Sequence, residues 1–215
     1  MKDIYVLGIG HNTPVFVELA ELCGYTIKGL YHYEEGRTGE MDHGYKILGS
    51  FEDLWNMPSL EGMNFALSQG DNKVRTKVFE KIISKGGTVP TLVHPRADVS
   101  RFATLGKGAV IHTGTVIHPD VIIGDNTIVS YNSSITHNTH VGKNCYIACG
   151  AMIGAYVHID DDVFIGIGVN IISGKVDTIG QKSYVGAGAL LTKSVPPYSV
   201  VAGFPAKVIR TLPED

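Results

Sequence analysis

The sequence predicts a small Rossmann-like α/β domain over residues 1–92, followed by a parallel β-helix over residues 93–215. Three observations carry that prediction. From Val93 onward an aliphatic residue recurs every six positions. Before Val93, short apolar runs alternate with helix-like segments. The composition, 44% hydrophobic and 18% charged, suits a chain with a packed core.

The repeat begins Val93, Val99, Leu105, Ile111, Ile117 and continues without a polar member to Ile171. It pauses there for eight residues and resumes as Ile179, Val185, Leu191. A helix cannot use a period of six, because the pattern drifts around a 3.6-residue turn. Six is a multiple of the strand period of two and fits one short strand plus one turn. Three such units close a triangular coil, and coils stack into a solenoid. The aliphatic residue points inward. The fourth residue after it is small or β-branched, as at Ala109, Thr115, Thr127, Ser133 and Cys145, and points inward near the corner. Glycine often follows the aliphatic, as at Gly106, Gly124, Gly142, Gly166 and Gly180, and is expected to give the corner its backbone freedom. The long interval from Ile171 to Ile179 is expected to bulge from a corner, since it cannot otherwise keep later aliphatics on the core.

In the first half, residues 3–8 read as a buried strand and Gly8, Gly10, His11 and Asn12 as a turn. Pro14 suits the first turn of a helix running to about Cys23. Residues 26–31 read as a second strand, and Ser50 caps a short helix through Trp55. Residues 64–67 read as a strand. Residues 73–85 form an amphipathic helix with Val74, Val78, Phe79, Ile82 and Ile83 on one face. Residues 88–93 form the last strand. Ligands of such sheets sit at the carboxyl ends of the strands, which gathers Gly10–His11, Tyr31–Tyr33 and Gly70–Asn72 around one crevice. A full GxGxxG is absent, which argues against a dinucleotide cofactor.

Net charge is −3 without a long basic run, which argues against nucleic acid as a partner. The odd set Cys23, Cys145 and Cys149, with no CxxC, argues against a disulfide framework and for reduced thiols in the cytoplasm. No apolar run approaches the length of a membrane span, and the N-terminal segment lacks a signal-peptide core.

Several segments carry a resemblance in order along nearly the whole chain. They are Gly8-Ile9-Gly10-His11, Gly70-Asp71-Asn72-Lys73-Val74-Arg75, His94-Pro95-Arg96-Ala97, Ser134-Ile135-Thr136-His137 and Gly203-Phe204-Pro205-Ala206-Lys207. With the hexapeptide repeat, the chain resembles the sialic acid O-acetyltransferase and UDP-4-amino-sugar N-acetyltransferase family of hexapeptide-repeat acyltransferases. The resemblance implies a left-handed β-helix, a homotrimer with sites between subunits, acetyl-CoA as co-substrate and a nucleotide-linked sugar as acceptor. It implies that His137 is the general base, taking a proton from an amine that attacks the thioester directly. Asn138 stands where the family usually has a carboxylate. The acetyl-CoA contacts map to Tyr146, Ile167, Ala187 and the backbone of Ala155. Tyr146 stands where histidine is common and Ala187 where glycine is common. The sugar-nucleotide contacts map to Gly10, His11, His32, Tyr33 and Gly70, with His32 and Tyr33 in place of two aspartates.

From the period alone, His137 reads first as a solvated corner histidine. His112 and His118 each follow an inward aliphatic and are expected at the surface; His140 and His158 each precede one. A γ-class carbonic anhydrase shares the β-helix, but its closely spaced histidine pair is missing, so no metal is expected. Acetyl transfer to a sugar hydroxyl, and a non-catalytic β-helix that only binds partners, are the alternatives.

Overall fold

The computed structural model describes residues 2–8 and 10–214, so Ile9 of the first turn lies outside the described residues. The chain forms two compact units, Met1–Leu92 and Val93–Asp215.

The first unit runs β1 (Lys2–Leu7), α1 (Thr13–Leu22), β2 (Tyr25–His32), β3 (Met41–Asp42), β4 (Tyr45–Ser50), α2 (Phe51–Asn56), β5 (Phe65–Leu67) and α3 (Asn72–Ser84). The sheet order is β3-β4-β2-β1-β5. All neighbours are parallel except β3, which forms a hairpin with β4. The strand order reverses at β1, so the carboxyl ends of β1, β2 and β5 open a crevice there. Ser50 caps α2 through a reciprocal box with Asp53.

Two expectations for this unit are corrected. Residues 88–93 are not a strand of this sheet. Thr88 makes one bridge to Asn64, Pro90 interrupts the ladder, and Leu92–Val93 begins the solenoid. The sheet instead gains β4 beside β2, on the side away from β5. The buried face of α3 is Arg75, Val78 and Ile82, whereas Val74 and Ile83 are exposed. Arg75 takes the inward position because its guanidinium donates to Asn72 Oδ1 (2.9 Å) and to the Gln69 carbonyl (3.5 Å).

The second unit is a solenoid with three faces of parallel two-residue strands. The first face stacks Val99, Ile117, Ile135, Ile153, Ile171 and Leu191 in register. The second stacks Leu105, Ile123, Val141, Ile159 and Ile179. The third stacks Ile111, Val129, Ile147, Ile165, Val185 and Val201. These aliphatics form one continuous core. The small inward residues turn their hydroxyls to use: Thr127 and Thr139 donate to the carbonyls of Gly142 (2.7 Å) and Gly154 (2.8 Å) in the next coil. A buried hydroxyl is thereby satisfied.

The glycines that follow the aliphatics do not supply left-handed backbone. A Cβ at Gly124 would lie 2.5 Å from the carbonyl carbon of Gly142, so these positions are small because coils stack closely. From Leu105 to Val185 the left-handed residue is the third after the aliphatic: Gly114, Asp120, Asn126, Asn132, Asn138, Asn144, Gly150 and Asp162 are among those with positive φ there. The interval from Ile171 to Ile179 is a looped corner that buries Val176 and returns Ile179 to register with Ile159. The last coil is shorter: Val195 bridges Ile179, and Val201 pairs with Val185.

Candidate active site

His137 stands in the corner between the first and second faces, two residues beyond Ile135. Its Nδ1 lies 2.8 Å from Oδ1 of Asn138. An amide oxygen only accepts, so Nδ1 carries the proton and Nε2 keeps its lone pair. Asn138 holds this geometry with φ 56°, a conformation asparagine tolerates. One coil further along the same corner lie Ala155 and Tyr156. The Tyr156 ring meets His137 edge-on, 5.3 Å between centroids at 89°. The Ala155 N–H donates to Ser173 Oγ at 2.8 Å, so this donor is occupied from the looped corner. Tyr156 and Ser173 were not singled out from the sequence. Tyr156 carried a signal, being an aromatic residue in the corner slot that neighbouring coils give to Gly, Asn or Asp.

Ile167 and Ala187 stack one coil apart at the corner between the third and first faces, and both are exposed. The corresponding N–H groups of Lys107, Lys143 and Ala155 are held by side chains of the next coil. Those of Ile167 and Ala187 have no partner among the described residues and offer two donors beside an apolar edge. Tyr146 lies outward on the third face, where Tyr146, Phe164 and Tyr184 stack (5.6 and 4.6 Å between centroids). That face is opposite the vertex that carries His137. One chain therefore brings His137, Asn138 and Ala155 together, and separately Ile167 and Ala187; it does not bring Tyr146 to His137.

In the first unit the crevice is closely built. Gly8 has φ 87°, and a Cβ there would meet Gln69 Nε2 at 2.5 Å. The Gly8 N–H donates to the Tyr31 carbonyl, and Gly10 N–H to Thr13 Oγ1 at 2.8 Å. A Cβ on Gly70 would sit 3.5 Å from Asn12 Nδ2, so the two loops adjoin. His11 is exposed. His32 is buried, and its Nδ1 accepts the Glu34 N–H at 2.9 Å, which leaves Nε2 as the donor. The exposed Tyr33 ring stacks on it at 4.2 Å. Gln69 Oε1 is buried without a hydrogen-bond partner among the described residues.

The remaining histidines separate. His112, expected at the surface, is buried and stacked on Tyr131 at 4.6 Å; burial, then the nearby His94, lowers its pKa to about 4. His140 and His158 meet edge-on at 4.5 Å beside Asp160. Among the described residues no group of three such side chains is arranged to hold a metal, and no helix is long and apolar enough to cross a membrane.

Comparison with known proteins covers both units. Residues 102–137 match the bacterial transferase hexapeptide (six repeats) family. The acetyltransferase domain of PglB from Neisseria gonorrhoeae superposes with TM-score 0.88 at 28% identity, over 97% of this chain and 100% of that one. A histidine-to-alanine variant of GDP-perosamine N-acetyl transferase from Caulobacter crescentus, in complex with CoA and GDP-perosamine, superposes with TM-score 0.87 at 25% identity over 98% of each chain. The solenoid shares their left-handed coil. Curated relatives match over about a third of their own length or less. Galactoside O-acetyltransferase of Escherichia coli is 43% identical over 63 residues, 29% of this chain and 30% of its own.

Proposed function

We propose that this chain, which belongs to the hexapeptide-repeat acyltransferases, transfers an acetyl group from acetyl-CoA to an amine on a nucleotide-linked sugar. The observation that carries the reading is the His137–Asn138 pair: the hydrogen bond occupies Nδ1 as donor and leaves Nε2 as the ring's acceptor at an exposed corner. The complex of the Caulobacter enzyme with CoA and GDP-perosamine supports both substrate classes. The N–H groups of Ile167 and Ala187, unpaired among the described residues and beside an exposed aliphatic edge, fit the amide carbonyls and apolar stretches of a pantetheine arm.

In this reading the neutral amine forms a bond to the thioester carbon while His137 Nε2 takes its proton. Negative charge develops on the carbonyl oxygen and requires an N–H donor. The Ala155 N–H can serve if Ser173 Oγ releases it. As the carbon–sulfur bond breaks, the proton on Nε2 passes to the leaving thiolate, giving the amide and free CoA. The crevice with Gly10, His11, His32, Tyr33 and Gly70 takes the nucleotide, Tyr33 offering a stacking face and His32 an N–H donor.

Tyr146 and His137 lie on opposite sides of the solenoid, so both serve one acetyl-CoA only if two copies contribute. We infer a homotrimer, the smallest ring in which each copy lends its third face to a neighbour's His137 corner. Light scattering should give three times the 23.1 kDa chain mass; a monomer would end the shared-site reading. Incubation with acetyl-CoA and a panel of amino-sugar and hydroxyl-sugar nucleotides, read by free-thiol release, tests the activity. Turnover confined to hydroxyl acceptors would move the assignment to O-acetylation, and turnover with no acceptor would leave a binding scaffold.

A further inference from the structure

We infer that Tyr156 is a positioning residue that fixes the plane of the His137 imidazole, an inference that rests on His137 being the base. Tyr156 has φ 61°, in the left-handed region. At this corner the neighbouring coils fill the same slot with Asp120, Asn138 and Gly174, residue types suited to that backbone. A tyrosine there is strained. The other long left-handed side chains of the solenoid, Lys182 and Tyr198, lie against each other in its last coils. Tyr156 instead stands between the regular coil of His137 and the looped corner of Ser173 and Gly174.

Within one chain the strain is not offset by burial, since Tyr156 is 68% exposed there. What the conformation secures is placement. The Tyr156 N–H donates to the His137 carbonyl at 3.3 Å, and its ring meets the imidazole edge-on. Asn138 holds one edge of the imidazole through Nδ1. Tyr156 restricts rotation about that bond and covers one side of the ring, so Nε2 keeps a single direction. Strain retained at one slot, aimed at one side chain, is the pattern of a preorganised site.

The test compares Tyr156→Asn, Tyr156→Phe, His137→Ala and the double variant His137→Ala/Tyr156→Asn. Asparagine suits the left-handed slot, so Tyr156→Asn should raise Tm by about 2–4 °C. The same variant should lower kcat by about ten- to a hundredfold while the Kd for acetyl-CoA stays unchanged. Tyr156→Phe keeps the ring and should restore most of the turnover. The double variant should be no slower than His137→Ala, because the tyrosine acts only through the histidine. Wild-type kcat in Tyr156→Asn, or a further loss in the double variant, overturns the inference while leaving His137 as base. Wild-type kcat in His137→Ala overturns the base itself.

Discussion

Asn138→Asp adds a charge to the His137 pair without a new backbone demand. Asp120 and Asp162 occupy equivalent corner slots with φ 60° and 62°, so aspartate fits the conformation Asn138 holds at φ 56°. The acceptor oxygen already lies 2.8 Å from Nδ1. Unit charges about 4 Å apart are worth about 1 kcal/mol in water and about 4 kcal/mol at an effective dielectric of 20. Asn138 is exposed, which places the pair near the lower value. About 1.4 kcal/mol corresponds to one pH unit. The carboxylate stabilises the protonated ring, so the acid limb of kcat/KM against pH should move upward by about one unit. On the plateau, where the base is neutral in both proteins, turnover should stay level or rise a few-fold with the stronger base. The assay is thiol release across the pH range, with Tm as a control for folding. An unmoved acid limb with unchanged Tm would mean that residue 138 is not coupled to the catalytic base.

Ser173→Ala removes the acceptor that occupies the Ala155 N–H. If that N–H holds the thioester oxygen, one competing hydrogen bond of about 1 kcal/mol disappears and acetyl-CoA should bind about fivefold tighter by calorimetry; weaker binding would instead make Ser173 part of the site. His112 governs acid stability. Its pKa of about 4 in the fold, against about 6.5 unfolded, means that the unfolded chain binds the extra proton between those values. Stability is then complete above about pH 6.5 and falls as pH drops toward 4, by about 3 kcal/mol in all. His112→Asn should flatten urea midpoints over that window, and a slope equal to wild type would remove His112 as the cause.

The solenoid was legible because one inward side chain per six residues sets its register, and that signal survives even the loop from Ile171 to Ile179. The corner position of His137 followed from the same count. The reason for the glycines did not: close approach between coils at Gly124 and Gly142 is a three-dimensional fact. His112 read as a surface residue because nothing local marks the Tyr131 ring one coil away that covers it. In the α/β unit, Tyr45–Ser50 escaped notice as a short strand running directly into its helix, while Thr88–Val93 had strand composition but was divided by Pro90. Val78 and Ile82 face inward as expected, but Arg75 joins them in place of Val74 and Ile83, because a charged residue can take an inward position when a loop carbonyl and an amide receive it. Tyr146 and His137, on opposite sides of the solenoid, are not brought together within one chain, so the proposed site cannot be assembled from one sequence alone.

The central claim is that His137 Nε2 takes the proton of an amine attacking acetyl-CoA. The most direct measurement is single-turnover acetyl transfer to an amino-sugar nucleotide by wild type and by His137→Ala across pH. The account predicts that the variant transfers about 10²- to 10⁴-fold more slowly and loses the acid limb assigned to the base, with acetyl-CoA still bound. Wild-type transfer rates in His137→Ala at every pH would place the base elsewhere and contradict the account.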